Sequence, residues 1–221
     1  PSSGWVSNAG LSEAVRGGSY HIRILQRIND IIAGFDDTSS EYHRPDYFIA
    51  GQYESLNVNQ QLDAATWKAN HIHTATCNGN RRLRIASGET LRNGVIETNC
   101  PIVLGSNVTL EDVLIISTST ALRAIDGAAS VTLGRDDNCA DGGGVQIVTL
   151  GGVRFTADLE MYGTQILAMD MIDFEANGNG VEGVSLVSGD EIDSTSNMDM
   201  GFCNGAGMSN NFEAEYFRMA R

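Results

Sequence analysis

Four oxygen-bearing side chains crowd one glycine-rich stretch, Gly134-Arg-Asp-Asp-Asn-Cys-Ala-Asp-Gly-Gly-Gly144. Asp136, Asp137, Asn138 and Asp141 are hard ligands of the kind Ca²⁺ takes, so the stretch is a candidate calcium loop. It departs from the D-x-[DN]-x-[DN]-G pattern, and no glutamate follows at EF-hand distance, so a solvated turn is the plainer reading. Further on, Asp170 and Asp190 share one position of a repeat, as do Asp173 and Asp193. Stacked carboxylates can act as acid and base in polysaccharide cleavage, or hold Ca²⁺. No stacked Arg or Lys base accompanies them, so an acidic solvated face is the simpler expectation. His71 and His73 flank Ile72 at strand spacing and would point the same way. Two imidazoles alone are a weak metal site, and exposed histidines of a first strand are the plainer account. The chain contains no G-x-S-x-G, HExxH or Walker loop. The expectation is a protein that is not an enzyme and carries no cofactor, calcium being the one candidate.

Cys77, Cys100, Cys139 and Cys203 are even in number, far apart, and form no C-x-x-C pair. That spacing disfavours a zinc ribbon or a thioredoxin-type centre and favours two disulfides in an oxidising compartment. Four cysteines allow three connectivities. Cys77 and Cys100 lie about one repeat apart, which favours that pair and leaves Cys139 with Cys203.

Charge narrows the partners. Asp and Glu number 28 against 14 Lys and Arg, a formal net charge of −14, and Lys68 is the lone lysine. A surface so acidic repels polyanions, so nucleic acid is excluded as a partner. The longest apolar run, Val113-Leu114-Ile115-Ile116, is far short of the roughly 20 residues of a membrane span. Pro1 in place of Met fits a processed form or an excised ectodomain. Gly is 25 of 221 residues and Pro only 3, which places the glycines at tight backbone positions rather than in a Pro-rich linker.

The elements that would position these residues follow from a period of 19–20 residues. Gly144-Val-Gln-Ile-Val-Thr-Leu-Gly-Gly-Val-Arg-Phe155 is echoed by Gly163-Thr-Gln-Ile-Leu-Ala-Met-Asp-Met-Ile-Asp-Phe174 and by Gly183-Val-Ser-Leu-Val-Ser-Gly-Asp-Glu-Ile-Asp-Ser194. Upstream, Leu83, Ile85, Leu91 and Ile96 align with Ile102, Leu104, Leu110 and Ile115. Between Ile115 and Ile147 the frame carries an insertion of about a dozen residues. Short alternating stretches are strands with one face inward, and the Gly, Asn, Asp or Ser between them mark corners. Such a unit, recurring every 20 residues, predicts a mainly β protein: a right-handed parallel β-helix of about six coils over residues 71–203. Coil stacking of about 4.8 Å makes a prism roughly 30 Å long.

Residues 1–70 lie outside the repeat. Ser19–Gly34 reads as a helix, with Ile24, Leu25, Ile28, Ile31 and Ile32 on one face and Gly34 as the stop. A weaker helix is predicted around Gln60 to Lys68. This segment would cap the open N-terminal end, and a tail at 204–221 the other.

Several strings add a resemblance: Cys77-Asn-Gly-Asn80, Thr98-Asn-Cys100, Asp137-Asn-Cys-Ala140, Gly143-Gly-Val-Gln-Ile147, Met161-Tyr-Gly-Thr-Gln165, Thr195-Ser-Asn-Met198, Met200-Gly-Phe-Cys203 and Asn211-Phe-Glu-Ala-Glu-Tyr-Phe-Arg218. Together they resemble the C-terminal ectodomain of TadG-like (TadE/TadG) proteins of the tight-adherence, or Flp, pilus system, from about residue 70 onward. The resemblance implies an N-terminal membrane anchor, which this chain lacks, and a periplasmic or extracellular domain at the cell surface. The function expected is a non-catalytic structural or adhesive pilus component, with other pilus or envelope proteins as partners. The alternative is a carbohydrate-binding module or polysaccharide-active β-helix enzyme, with surface glycans as its ligands.

Overall fold

The computed structural model describes residues 19–137, 142–174, 178–194 and 198–201. They form a parallel β-helix of about seven coils with one helix before it. Coil 1 holds β1 (Tyr53–Ser55) and β2 (Gln61–Leu62). Coil 2 holds β3 (His71–Ala75), β4 (Leu83–Ile85) and the start of β5 (Thr90–Thr98). Coil 3 takes the rest of β5, β6 (Ile102–Leu104) and the start of β7 (Thr109–Ser117). Coil 4 takes the rest of β7 and β8 (Ile125–Leu133). Coil 5 holds β9 (Val145–Thr149) and β10 (Val153–Tyr162). Coil 6 holds β11 (Gln165–Ala168), β12 (Ile172–Phe174) and β13 (Gly178–Glu182). Coil 7 holds β14 (Ser185–Ser188), β15 (Ile192–Ser194) and β16 (Met198–Gly201).

Parallel pairing turns the sequence repeat into ladders on three faces. On the first face Ile96, Ile115, Ile147, Ile166 and Leu186 stack in register. On the second, Leu83, Ile102, Ile125, Val153, Ile172 and Ile192 do the same. Volume is exchanged between neighbouring coils. A Cβ at Gly127 would lie 2.2 Å from the Phe155 ring, so the missing side chain in coil 4 makes room for the phenyl of coil 5. Phe155 in turn lies parallel to Phe174 in coil 6, ring centres 6.0 Å apart. Asn70, Asn93 and Asp112 occupy one corner column and Asn107, Ser130 and Asp158 another, all with positive φ. Single left-handed residues turn the chain between faces, and Asn and Asp tolerate that geometry best after Gly.

The insertion divides between two corners of coil 4. Register leaves four extra residues between Ser117 and Ile125, and nine between Leu133 and Val145. The first group folds over the next corner, where Gly152 N donates to Ala121 O at 3.0 Å. A Cβ at Gly151 would sit 2.3 Å from Ala121 O, and one at Gly152 2.2 Å from Leu122 O. Both contacts are with backbone, which cannot swing aside. Gly152→Ala should therefore cost about 3 kcal/mol, read as a lowered urea midpoint at unchanged slope.

The helix of the N-terminal segment lies beside the solenoid rather than over its open end. Helix α1 (Ser19–Gly34) lies along the flank of the first face. Ile24, Ile28 and Ile31 form its buried stripe, and Phe35 follows. They pack on Ile72, Val95, Leu114, Ile116, Val148 and Leu167, which point outward from the coils. Leu25 is 38% exposed, at the edge of that stripe. The helix runs against the stack: His21 Nδ1 lies 3.2 Å from Gly189 O in coil 7, while Asp36, past the far end, accepts from Tyr53 Oη of β1 at 2.8 Å. Sixteen residues at 1.5 Å give about 24 Å, the height of about five coil steps.

The open end is closed instead by the chain between β1 and β3. No helix forms at 60–68. β2 pairs with β4, and Asp63 Oδ1 then accepts from the amide and hydroxyl of Thr66 at 2.9 and 2.8 Å, making a tight turn. That turn delivers Trp67 onto His73, ring centres 4.0 Å apart, with Leu56 and Val58 packed against the same core. The solenoid thus begins at residue 53, not 71; coils 2 to 7 are the six expected. The segments 1–18 and 202–221 lie outside the described residues.

Candidate functional site

The glycine-rich loop leaves the end of β8 on the third face, the one on which Leu91, Leu110, Leu133, Met161 and Val181 stack in register. Arg135 Nε donates to Asp137 Oδ2 at 2.8 Å, so one of the four candidate ligands already holds a guanidinium. Asp112 Oδ1 accepts from Gly143 N and ties the loop's far end to the corner column. Beside them Arg92 grips the largely buried Glu111 with two nitrogens, at 2.8 and 2.9 Å, and holds its carboxyl below the usual range. Asp136 sits on the same loop, whereas Asn138 and Asp141 lie outside the described residues. Among the described residues no group of three or more His, Cys, Asp or Glu is arranged to hold a metal.

Asp173 and Asp193 are register partners, as their spacing predicts. Their outward column on the second face reads Arg84, Val103, Asp126, Arg154, Asp173, Asp193. Arg154 Nε lies 3.4 Å from Asp173, and Arg82 Nη1 3.5 Å from Asp126. The stack is therefore a charge ladder, with arginine interleaved where only acids were expected. Asp170 and Asp190 line one depression with His21 and Thr120. The Asp170 carboxylate accepts from its neighbour's amide, Met171 N, at 2.8 Å, while Ser188 Oγ donates to the Asp170 carbonyl. The side chain is used in holding its own corner.

His71 and His73 share a side of β3, but not an exposed one. His73 is wholly buried in the interior of the prism. Its Nε2 accepts from Lys68 N–H at 3.1 Å, and Nδ1 lies 3.2 Å from the Val95 carbonyl, which it can only meet as a donor. These partners select the neutral Nδ1–H tautomer. A second proton would face an N–H donor under the Trp67 ring, and burial pulls the imidazole down to about 4. The unfolded chain protonates His73 near 6.5. The neutral ring's contribution is thus complete above pH 6.5 and is lost as pH falls toward 4. Unfolding midpoints measured between pH 7 and 4 should drop across that window, and His73→Gln should flatten the drop.

Cys77 and Cys100 stand side by side on consecutive coils, two residues beyond the register pair Ala75 and Thr98, and form a disulfide with Cα atoms 5.1 Å apart. It closes a separation of 23 residues, worth about 3 kcal/mol. Urea unfolding with and without reductant should differ by that amount. Cys139 and Cys203 lie outside the described residues.

One polar depression was missed by the sequence reading. Asn107, Thr109, Ser130, Thr132, Asp158 and Glu160 line it on the third face. They belong to consecutive coils, but the insertion shifts them 23 and 28 residues apart, outside the 19–20 period. The alternation of polar residues around Val108, Val131 and Leu159 was the available signal.

Comparison with known proteins gives one match. The model of the family described as Domain of unknown function (DUF7867) covers residues 1–204. No curated protein and no solved structure matches the chain.

Proposed function

We propose, from the premise that this chain belongs to the DUF7867 family, that it is a non-catalytic structural or adhesive rod of a cell-surface pilus system of the tight-adherence type. The observation that supports this most is the flank helix. A coil of a solenoid touches only its neighbours, so an unclamped stack can open from its ends. Here one helix reaches from coil 7 back to the edge of coil 1 and buries residues of most coils between. The result is a stiff body roughly 30 Å long. The disulfide at coils 2 and 3 adds a lock suited to an oxidising, periplasmic or extracellular compartment. An anchor ahead of residue 1, as the resemblance to TadG-like proteins implies, would lead into the helix at the coil 7 end. The partners are other pilus or envelope proteins, and the acidic outer surface selects against polyanions among them.

The test is fractionation of the native source cells under non-reducing conditions. Sheared surface filaments, envelope and cytosol are probed for the protein and for its free thiols. The proposal predicts recovery with filaments or envelope and an oxidised Cys77–Cys100 pair. Recovery in the cytosol with reduced thiols would overturn both the compartment and the pilus role.

A further inference from the structure

The trough on the third face has a volume of about 450 Å³ and is built as a grid. Coil 3 contributes Asn107 and Thr109, coil 4 Ser130 and Thr132, coil 5 Asp158 and Glu160. Thr109, Thr132 and Glu160 are in register, and so are the corner residues two places before each. The rows are therefore one coil apart, about 4.8 Å. Within a row the two side chains sit on one side of the backbone, since residues two apart share a face.

The corner positions are informative. Asn107, Ser130 and Asp158 have φ of 58°, 59° and 25°, where the equivalent residue of coil 2, Gly88, has φ 80° and no side chain. At a site that glycine fills without strain, three consecutive coils carry a polar group instead. Among the described residues, neither Asp158 nor Glu160 is ion-paired. Thr132 Oγ1 donates to Glu160 Oε2 at 3.2 Å, and this bond uses one hydroxyl proton and one carboxylate oxygen, so the pair keeps further acceptor capacity.

The lining supplies amide and hydroxyl donors, hydroxyl acceptors and two carboxylates, with Val131 its one apolar side chain. A carboxylate accepts from two adjacent hydroxyls at once, which suits a vicinal diol. An anionic ligand is repelled by Asp158 and Glu160 and by the net charge of −14. A hexose unit in an extended chain repeats at a spacing close to that of the coils. We infer that this trough binds a neutral or amino-bearing oligosaccharide laid along the stack, one sugar to each of coils 3, 4 and 5. The inference stands on the trough alone and holds whether or not the rod serves a pilus.

The test uses the full chain, ¹⁵N-labelled, titrated with N-acetylchitohexaose, with its deacetylated counterpart, and with oligogalacturonate. Saturable amide shifts confined to 107–109, 130–132 and 158–160 with either of the first two are expected. The acetylated probe alone marks a neutral ligand, and the deacetylated one alone marks an amino-bearing ligand. Asp158→Asn keeps a residue that tolerates the left-handed backbone, so the fold persists. Combined with Glu160→Gln it should weaken binding about tenfold or more. Absence of saturable shifts with both chito-oligosaccharides at millimolar concentration would overturn the inference. So would shifts centred elsewhere, undiminished binding by the double variant, or oligogalacturonate binding as tightly as the others.

Discussion

Ile28→Asp should cost at least about 4 kcal/mol and leave the chain largely unfolded at 37 °C. Ile28 is completely buried between the helix and the outer surface of the first face. An aspartate there would sit in the apolar cluster that holds Ile24, Ile31, Val95 and Leu114. The carboxylate must be desolvated, protonated, or allowed to drive the helix off. If the helix leaves, six outward apolar side chains return to water, and full burial of each is worth about 1.5–3 kcal/mol. The comparison is Ile22→Asp. Ile22 is 59% exposed on the same helix, and its change should stay within about 0.5 kcal/mol. Equal effects of the two, measured by urea unfolding followed by circular dichroism, would mean that the helix is not clamped to the coils.

Gly134→Ala should cost about 4 kcal/mol for a different reason. Gly134 has φ +90°, and a Cβ there would lie 1.8 Å from the Tyr162 carbonyl oxygen of the next coil. Its own amide donates to Leu110 O of the preceding coil at 2.8 Å, so the backbone is held from both sides and cannot retreat. Gly88 separates clash from conformational strain. It too has positive φ, but nothing lies within 4 Å of its Cβ position. Gly88→Ala should show only the left-handed penalty, about 1–2 kcal/mol. Matching losses at the two sites would remove the close approach of coils 4 and 5 from the explanation.

The solenoid was legible because its core obeys two periods at once. Alternation marked the inward residues, and the 19-residue offset gave the register: Leu83 with Ile102, Leu91 with Leu110 and Ile96 with Ile115 are paired as read. The length of the insertion was readable, but not its division between two corners, because only the register of β8 separates the parts. Coil 1 escaped because its strands are three and two residues long and match no other copy. The place of the helix escaped although a sign was present. Val113-Leu114-Ile115-Ile116 is apolar on both faces, and all four residues are fully buried. A strand without polar alternation is covered on both sides, so the first face required a partner on its outer side. The candidate site was less legible still. Stacking of Asp173 on Asp193 followed from the frame, and so did the arginine beside them, because Arg154 stands 19 residues before Asp173 at the same position of its copy. Burial of His73 depended on Trp67, whose turn read as helix.

Amide hydrogen exchange on the intact chain tests the central claim, that one helix binds the coils into a single cooperative rod. Amides of β3, β5, β7, β9 and β11 should open with a common free energy, and Ile28→Ala should lower all of them together by about 3 kcal/mol. Protection that falls coil by coil from the ends, with Ile28→Ala loosening only the helix itself, would contradict it.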